Sequence, residues 1–200
     1  MIESWFQIPI FYKDLDTTKI QPEVESTLKD TTIRSADNMW KDSVQTSFTY
    51  GNNNKFLETC PELASQIFNS VLEYMSVFNF DHDNKILIKE SWINITERDQ
   101  FQHYHIHAHN DISGVYYHEA SGNQEQGNIV FKSPTSVAHN SKLFHFEPNQ
   151  VYYAPIKGRL ILFPSFLEHA VLSNKTDDKR ISISFNIDIG HIRPKEKNKE

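Results

Sequence analysis

Arg180-Ile-Ser-Ile-Ser-Phe-Asn-Ile187 alternates polar and apolar residues without a break. In an extended strand successive side chains leave on opposite faces, so Ile181, Ile183 and Phe185 share one side while Arg180, Ser182, Ser184 and Asn186 share the other. The apolar side packs on a core; the polar side is either a solvent-facing edge or the lining of a barrel mouth, a common place for a ligand. Runs of the same β-branched and aromatic character precede it at Ile86–Ile95, Ser113–Tyr117, Asn128–Phe131, Gln150–Ala154 and Arg159–Phe163. Turn signals separate them at Ser121-Gly122-Asn123, Ser133-Pro134 and Ile156-Lys157-Gly158. Many short strands with hairpin-like spacing predict an antiparallel sandwich or barrel, and a jelly roll is the expected architecture.

Ahead of residue 85 the period changes. Leu63, Ile67, Val71, Leu72 and Met75 recur at helical spacing, which predicts an amphipathic helix over 61–78 with Pro61 in its first turn. A second helix is expected around Pro22 to Lys29. Residues 1–84 read as an N-terminal cover, 85–187 as the jelly-roll core and 193–200 as a disordered tail, within one α+β, mainly β domain. Hydrophobic residues make up 38% of the 200 and aromatics 12%, enough for a sizeable core and too many for a disordered chain. The net charge of -6 argues against a nucleic-acid partner held by general phosphate attraction. Cys60 is the sole cysteine, and no basic-then-apolar leader precedes Trp5, so a reducing, cytoplasmic setting is expected. Leu160–Phe163, ended by Pro164, is far shorter than the roughly 18 apolar residues of a membrane span, so no membrane partner is expected.

Histidine stands out. Five of the ten fall at positions 103, 105, 107, 109 and 118. In an extended Gln102–Asp111 segment the first four would face one side, and a His-x-His pair can offer two ring nitrogens to one divalent metal. The competing reading, a polar strand of solvated histidines, is weaker because four alternate without interruption. His169, after Pro164-Ser-Phe-Leu-Glu168, is the candidate third ligand, although a lone histidine is more often a satisfied core residue. Arg180 lies eleven residues further on at the head of the alternating strand. There its planar guanidinium could grip a carboxylate through two hydrogen bonds, with Ser182 adding a third.

Four ordered motifs carry a family resemblance: Glu90-Ser-Trp-Ile-Asn94; His105-Ile-His107 with Ser113-Gly-Val-Tyr-Tyr117; Leu162-Phe-Pro-Ser-Phe-Leu-Glu-His169; and Arg180-Ile-Ser-Ile-Ser-Phe-Asn186. Together they resemble the 2-oxoglutarate- and Fe(II)-dependent oxygenases of bacteria and phages, with a weaker echo in Trp5-Phe-Gln-Ile-Pro-Ile-Phe11. The resemblance implies a double-stranded β-helix, and an Fe(II)- and 2-oxoglutarate-dependent dioxygenase that hydroxylates its substrate with O2 and releases succinate and CO2. It implies that His169 and the His105–His107 segment bind iron and that Arg180 with Ser182 holds the far carboxylate of 2-oxoglutarate. It also implies a small-molecule or side-chain substrate in the cytoplasm of a bacterial or phage-infected cell. Asn94 and Tyr116 are taken as further cofactor-binding residues. Tyr116 and Tyr117 point to opposite faces, so only one of them meets the metal. Trp92 shares a face with Asn94, and both could equally be barrel-wall residues.

One position departs from the family pattern. The wider superfamily uses His-x-Asp or His-x-Glu, and here His107 stands where the carboxylate would be. Either His105, His107 and His169 form a three-histidine site, which is the favoured expectation, or His109-Asn-Asp111 supplies the carboxylate. A cupin-like metal protein is the runner-up, matching His105-x-His107, Asp111, Gly158, Pro164 and His169 but with Phe166 where a glycine is usual. A non-catalytic jelly-roll binding module is the third reading. There is no nucleophile elbow or phosphate-cradling glycine motif, and six glycines leave little material for either. Cys60, before Pro61, could be a stabilised thiolate at a helix start but reads more readily as a buried thiol. Glu168 is expected to face outward.

Overall fold

A computed structural model of the chain describes residues 7–36, 44–49, 54–78, 85–135 and 148–190. Among these the elements run β1 (Phe11–Asp14), α1 (Thr17–Asp30), β2 (Arg34–Ser35), β3 (Gln45–Thr46), a 3-10 turn at Phe56–Thr59, α2 (Pro61–Ser76), β4 (Lys85–Thr96), β5 (Gln102–His105) and β6 (Ile112–Glu119). A 3-10 turn at Gln124–Gln126 leads to β7 (Ile129–Lys132), β8 (Gln150–Tyr153), β9 (Arg159–Pro164), β10 (His169–Val171) and β11 (Arg180–Gly190). The strands form a seven-stranded sheet, order β1-β9-β6-β11-β4-β3-β2, and a four-stranded sheet, order β5-β10-β7-β8. Pairing between the named strands is antiparallel. Two such sheets facing one another make the expected jelly roll, a double-stranded β-helix.

The alternation on β11 does what its pattern requires. Ile181, Ile183, Phe185 and Ile187 join Ile20 and Val24 of α1 and Leu63, Ile67 and Val71 of α2 in one buried cluster, which fixes the helices to the back of the larger sheet. Val115, Tyr117, Ile161 and Phe163 of that sheet meet Ile129 and Phe131 of the smaller one in a second cluster between the sheets. Gly114 stands on the helix side of β6, where a Cβ would lie 2.3 Å from the Phe185 ring, so no larger residue fits without moving the core.

Several boundaries differ from expectation for local reasons. Helix α1 begins well before Pro22 because the Asp16 side chain caps it, accepting from the Thr18 N–H at 3.0 Å. Helix α2 stops at Ser76, short of Phe78, because the N–H groups of Val77 and Phe78 bond carbonyls three residues back and tighten the chain off the helical path. Residues ahead of 85 do more than cover the barrel, since β1 pairs with β9 and β3 with β4. The run from Gln102 does not stay extended through Asp111: β5 ends at His105, and His109 adopts φ 71 in the following turn. Trp5, Phe6 and the tail 193–200 lie outside the described residues. Among the described residues no helix is long and apolar enough to cross a membrane.

Candidate functional site

Strand register brings the first two histidines together. His105, the last residue of β5, pairs across the smaller sheet with His169, the first of β10, and their ring centroids lie 4.3 Å apart. His107 follows just beyond the strand, where its N–H donates to the Ser165 carbonyl at 3.0 Å. Its ring centroid is 5.1 Å from each of the other two. One nitrogen from each ring comes within 4.8 Å of the others. His105 Nδ1 faces the His103 carbonyl at 2.7 Å and His169 Nδ1 faces the Leu167 carbonyl at 2.8 Å. A carbonyl only accepts, so both Nδ1 atoms carry the proton and both Nε2 atoms keep a lone pair.

All three rings suit a metal. Desolvation first, then the neighbouring His105 ring, pushes His107 down from 6.5 to about 3. Burial and the two adjacent imidazoles hold His169 well below its ordinary value. Neutral imidazole is the form that binds metal, so neither ring must first lose a proton near neutral pH. Phe163 stands edge-on to His169 at 4.7 Å, and Trp92 stacks on His107 at 5.9 Å, walling the rings from solvent.

The structure separates the other candidates. His103 is exposed and its ring lies against Phe101, and His109 is exposed in the turn, so the four-histidine row does not form; the strand that would align it ends at His105. Asp111 is not brought to the rings: its Oδ2 accepts from the Ile189 N–H at 2.6 Å and its backbone bonds Ile187 and Ser165, which ties the turn to β11. Tyr116 is a correction, because its side chain enters the helix-side core and Tyr117 lines the cavity instead. Cys60 is buried at the start of α2, where burial pushes its thiol up rather than making a thiolate. Glu168 faces outward and pairs with Lys132 at 2.9 Å.

Arg180 opens β11 at 2% exposure. Its Nη1 donates to the Gly127 and Gln126 carbonyls at 2.5 and 3.3 Å, and its Nη2 to Thr96 Oγ1 at 2.9 Å. All three acceptors are neutral, Nε has no partner, and among the described residues no carboxylate pairs with the guanidinium. A buried cation without a counter-ion is costly, and here burial lowers the guanidinium pKa. Gly127 makes the cradle possible: its φ is 90, and a Cβ there would lie 2.3 Å from the Leu172 carbonyl oxygen and 3.0 Å from Arg180 Nη1. Arg180, Ser182, Asn94, Trp92 and the three histidines line one narrow cavity between the sheets. Within it Trp92 Nε1 and Asn94 Oδ1 are also buried without partners, while Asn94 Nδ2 donates to Ser184 at 3.2 Å. The residues therefore fit a metal ion at one end and an anionic ligand rich in oxygen at the other.

The sequence did not single out Thr96, gave Glu90, Ser113 and Ser165 no role beyond the motifs that contain them, and placed Asn186 only on the polar face of the last strand. Register pairs Arg180 with Thr96, Ser182 with Asn94, Ser184 with Trp92 and Asn186 with Glu90, so the alternation already recognised on β11 selects the same face of β4.

Residues 90–186 match the family model described as "Putative 2OG-Fe(II) oxygenase". The fold is similar to a prolyl-4-hydroxylase from Pseudomonas putida, at 13% identity and TM-score 0.61 over 90% of this chain and 92% of that one. It is similar also to HygX from Streptomyces hygroscopicus with nickel, 2-oxoglutarate and hygromycin B bound, at 11% identity and TM-score 0.62 over 90% and 83%. A 2OG-Fe(II) oxygenase family oxidoreductase from Burkholderia pseudomallei aligns at 13% identity and TM-score 0.61 over 84% and 77%. No curated protein matches the chain in sequence.

Proposed function

We propose that this chain works as a 2OG-Fe(II) oxygenase, the family whose model its residues 90–186 match. The observation that carries the reading is one cavity holding three converging imidazoles and, across it, a buried Arg180 whose Nε has no partner. His105, His107 and His169 hold the metal through neutral nitrogens, in a three-histidine set rather than the usual two with a carboxylate. Iron with 2-oxoglutarate supplies the oxidising chemistry, in which O2 is spent, the oxo acid becomes succinate and CO2, and a substrate C–H becomes C–OH. The chain's own part is to orient and to exclude water. Arg180 neutralises the far carboxylate with Ser182 beside it, and that anion in turn relieves the uncompensated buried charge. Trp92 Nε1–H offers an unspent hydrogen bond to a ligand oxygen, and Asn94 Oδ1 is free to accept one from a ligand donor. Phe163 keeps the dry side of the His169 ring closed.

The substrate is a small molecule or a side chain. The structural relatives named above include a prolyl-4-hydroxylase and a complex with hygromycin B, so the shared fold does not choose between these classes. The buried free thiol of Cys60 supports a reducing, cytoplasmic setting. The testing experiment is anaerobic titration of the Fe(II)-loaded protein with 2-oxoglutarate, followed by the weak visible charge-transfer band of an oxo acid chelating ferrous iron. A band that grows and saturates is expected. Iron binding with no band and no oxo-acid affinity would replace the proposal with a cupin-like metal protein, and failure to bind iron would leave a non-catalytic jelly roll.

A further inference from the structure

Gln126 ends the 3-10 turn that leads to β7, and its side chain is buried. Every hydrogen-bonding position of its amide is engaged by the chain around Arg180. Oε1 accepts from the Ser121 N–H at 2.7 Å and from the Ser121 hydroxyl at 3.0 Å. Nε2 donates to the Asp178 and Lys179 carbonyls, each at 3.3 Å. Those two residues immediately precede Arg180. The partners also fix which way the amide points. Turned over, it would set its oxygen against two carbonyls and its NH2 against an N–H, so one arrangement alone satisfies every group.

The backbone of the same residue meets the guanidinium. The Gln126 and Gly127 carbonyls both accept from Arg180 Nη1. The Gln126 side chain therefore ties the segment that carries the guanidinium to the turn that carries two of its acceptors. The third acceptor belongs to the same frame, because Asn174 Nδ2 donates to the Thr96 and Asp178 carbonyls at 3.3 and 2.8 Å. Arg180 needs such a frame. An arginine paired with a carboxylate is held by charge, whereas these three neutral acceptors hold it by their placement. A displaced turn would release Nη1 and let the guanidinium rotate about its Cζ–Nε bond.

We propose that Gln126 is a positioning residue for the anion end of the cavity: by clamping the 121–127 turn to residues 178–179, it fixes the plane of the Arg180 guanidinium and the direction of its unpartnered Nε–H. The inference rests on the reading of Arg180 as the group that takes the far carboxylate of the oxo acid. With its own amide fully engaged, Gln126 acts on a ligand through Arg180.

Two measurements test the clamp. The first uses metal-free protein without ligand and reads the side-chain nitrogen-15 NMR signals of Arg180, assigned by their loss in Arg180→Lys. Wild type should give separate Nη1 and Nη2 signals, because rotation is blocked. Gln126→Ala should give one averaged signal. Gln126→Met keeps the bulk without the hydrogen bonds and should do the same, which answers for any loss of packing. The second measurement titrates Fe(II)-loaded protein, without oxygen, with 2-oxoglutarate and with 2-oxopentanoate, which has a methyl group in place of the far carboxylate. Both variants should bind 2-oxoglutarate about 10-fold more weakly and bind 2-oxopentanoate as wild type does. In an Arg180→Ala background Gln126→Met should cost no further 2-oxoglutarate affinity. A general loosening of the barrel would weaken both oxo acids together, and that result would overturn the proposal, as would separate Nη signals in Gln126→Met. A wild type that gives no 2-oxoglutarate binding, beside Arg180 signals that follow Gln126, would remove the oxygenase reading and leave the clamp standing. Normal 2-oxoglutarate binding, with Arg180 signals indifferent to Gln126, would do the reverse.

Discussion

At the scale of single residues, the site separates groups that hold metal from groups that hold an anion. His107→Ala and Asp111→Ala divide the two candidate third ligands. The first should reduce iron stoichiometry to near zero by metal analysis. The second should retain iron and cost on the order of 1 kcal/mol of stability, because Asp111 bonds the Ile189 N–H rather than a metal. Arg180→Ala should keep the metal and lose about 2 to 5 kcal/mol of 2-oxoglutarate affinity, measured by titration of the iron-loaded protein. Unchanged oxo-acid affinity in that variant would free Arg180 from the assigned role. Arg180→Lys should not restore it, since the planar fork that serves Gly127, Gln126 and Thr96 while leaving Nε open has no equivalent in an ammonium.

Among elements, the turn before β7 is as much part of the site as the strands. Gly127→Ala would force a side chain into a positive-φ position against the Leu172 carbonyl, which should cost about 1 to 3 kcal/mol in denaturant unfolding and weaken 2-oxoglutarate binding by displacing Arg180. Wild-type stability and affinity in that variant would show that the turn does not shape the cradle. The longer strands were legible because their alternation is local: β4, β6, β9 and β11 fall on the runs that composition marks out. Strands β1, β2 and β3 are two to four residues long and exist through the pairing of β1 with β9, β3 with β4 and β2 with β3, so nothing in their own residues announces them. Within the site, His105, His107, His169, Arg180 and Ser182 were legible because histidine density and a charged residue on an alternating strand are rare locally. Alternation alone could not show that β5 ends at His105, nor which of Tyr116 and Tyr117 faces inward. Glu90, Asn186 and Ser113 read individually as ordinary barrel wall; only the register of three strands makes them a row.

For the molecule as a whole, the buried histidines make folding sensitive to acid. His107 and His169 are held neutral by burial and their neighbours. His118, buried with Nδ1 unpartnered, is also lowered by burial. The unfolded chain takes up protons near 6.5, whereas these folded sites do so only at lower pH, near 3 for His107. Above the unfolded value the difference has no effect. As pH falls below it, the unfolded state binds more protons, and each group removes about 1.4 kcal/mol of stability per pH unit until the folded value is passed. Chelator-treated protein should therefore lose denaturant resistance steadily between pH 6.5 and 5, and a flat profile would contradict the burial of these rings. The position of β11 has a different consequence. It lies between β4 and β6, and its residues alternate between the helix-side core and the cavity. Substitution can alter either set separately. Deleting one residue between Arg180 and Asn186 would invert every side chain on one side of the cut, turning isoleucines toward the metal and polar residues toward the helices. The strand that carries the site should therefore tolerate changes of letter and reject changes of length, a constraint that a deletion scan set against a substitution scan would expose.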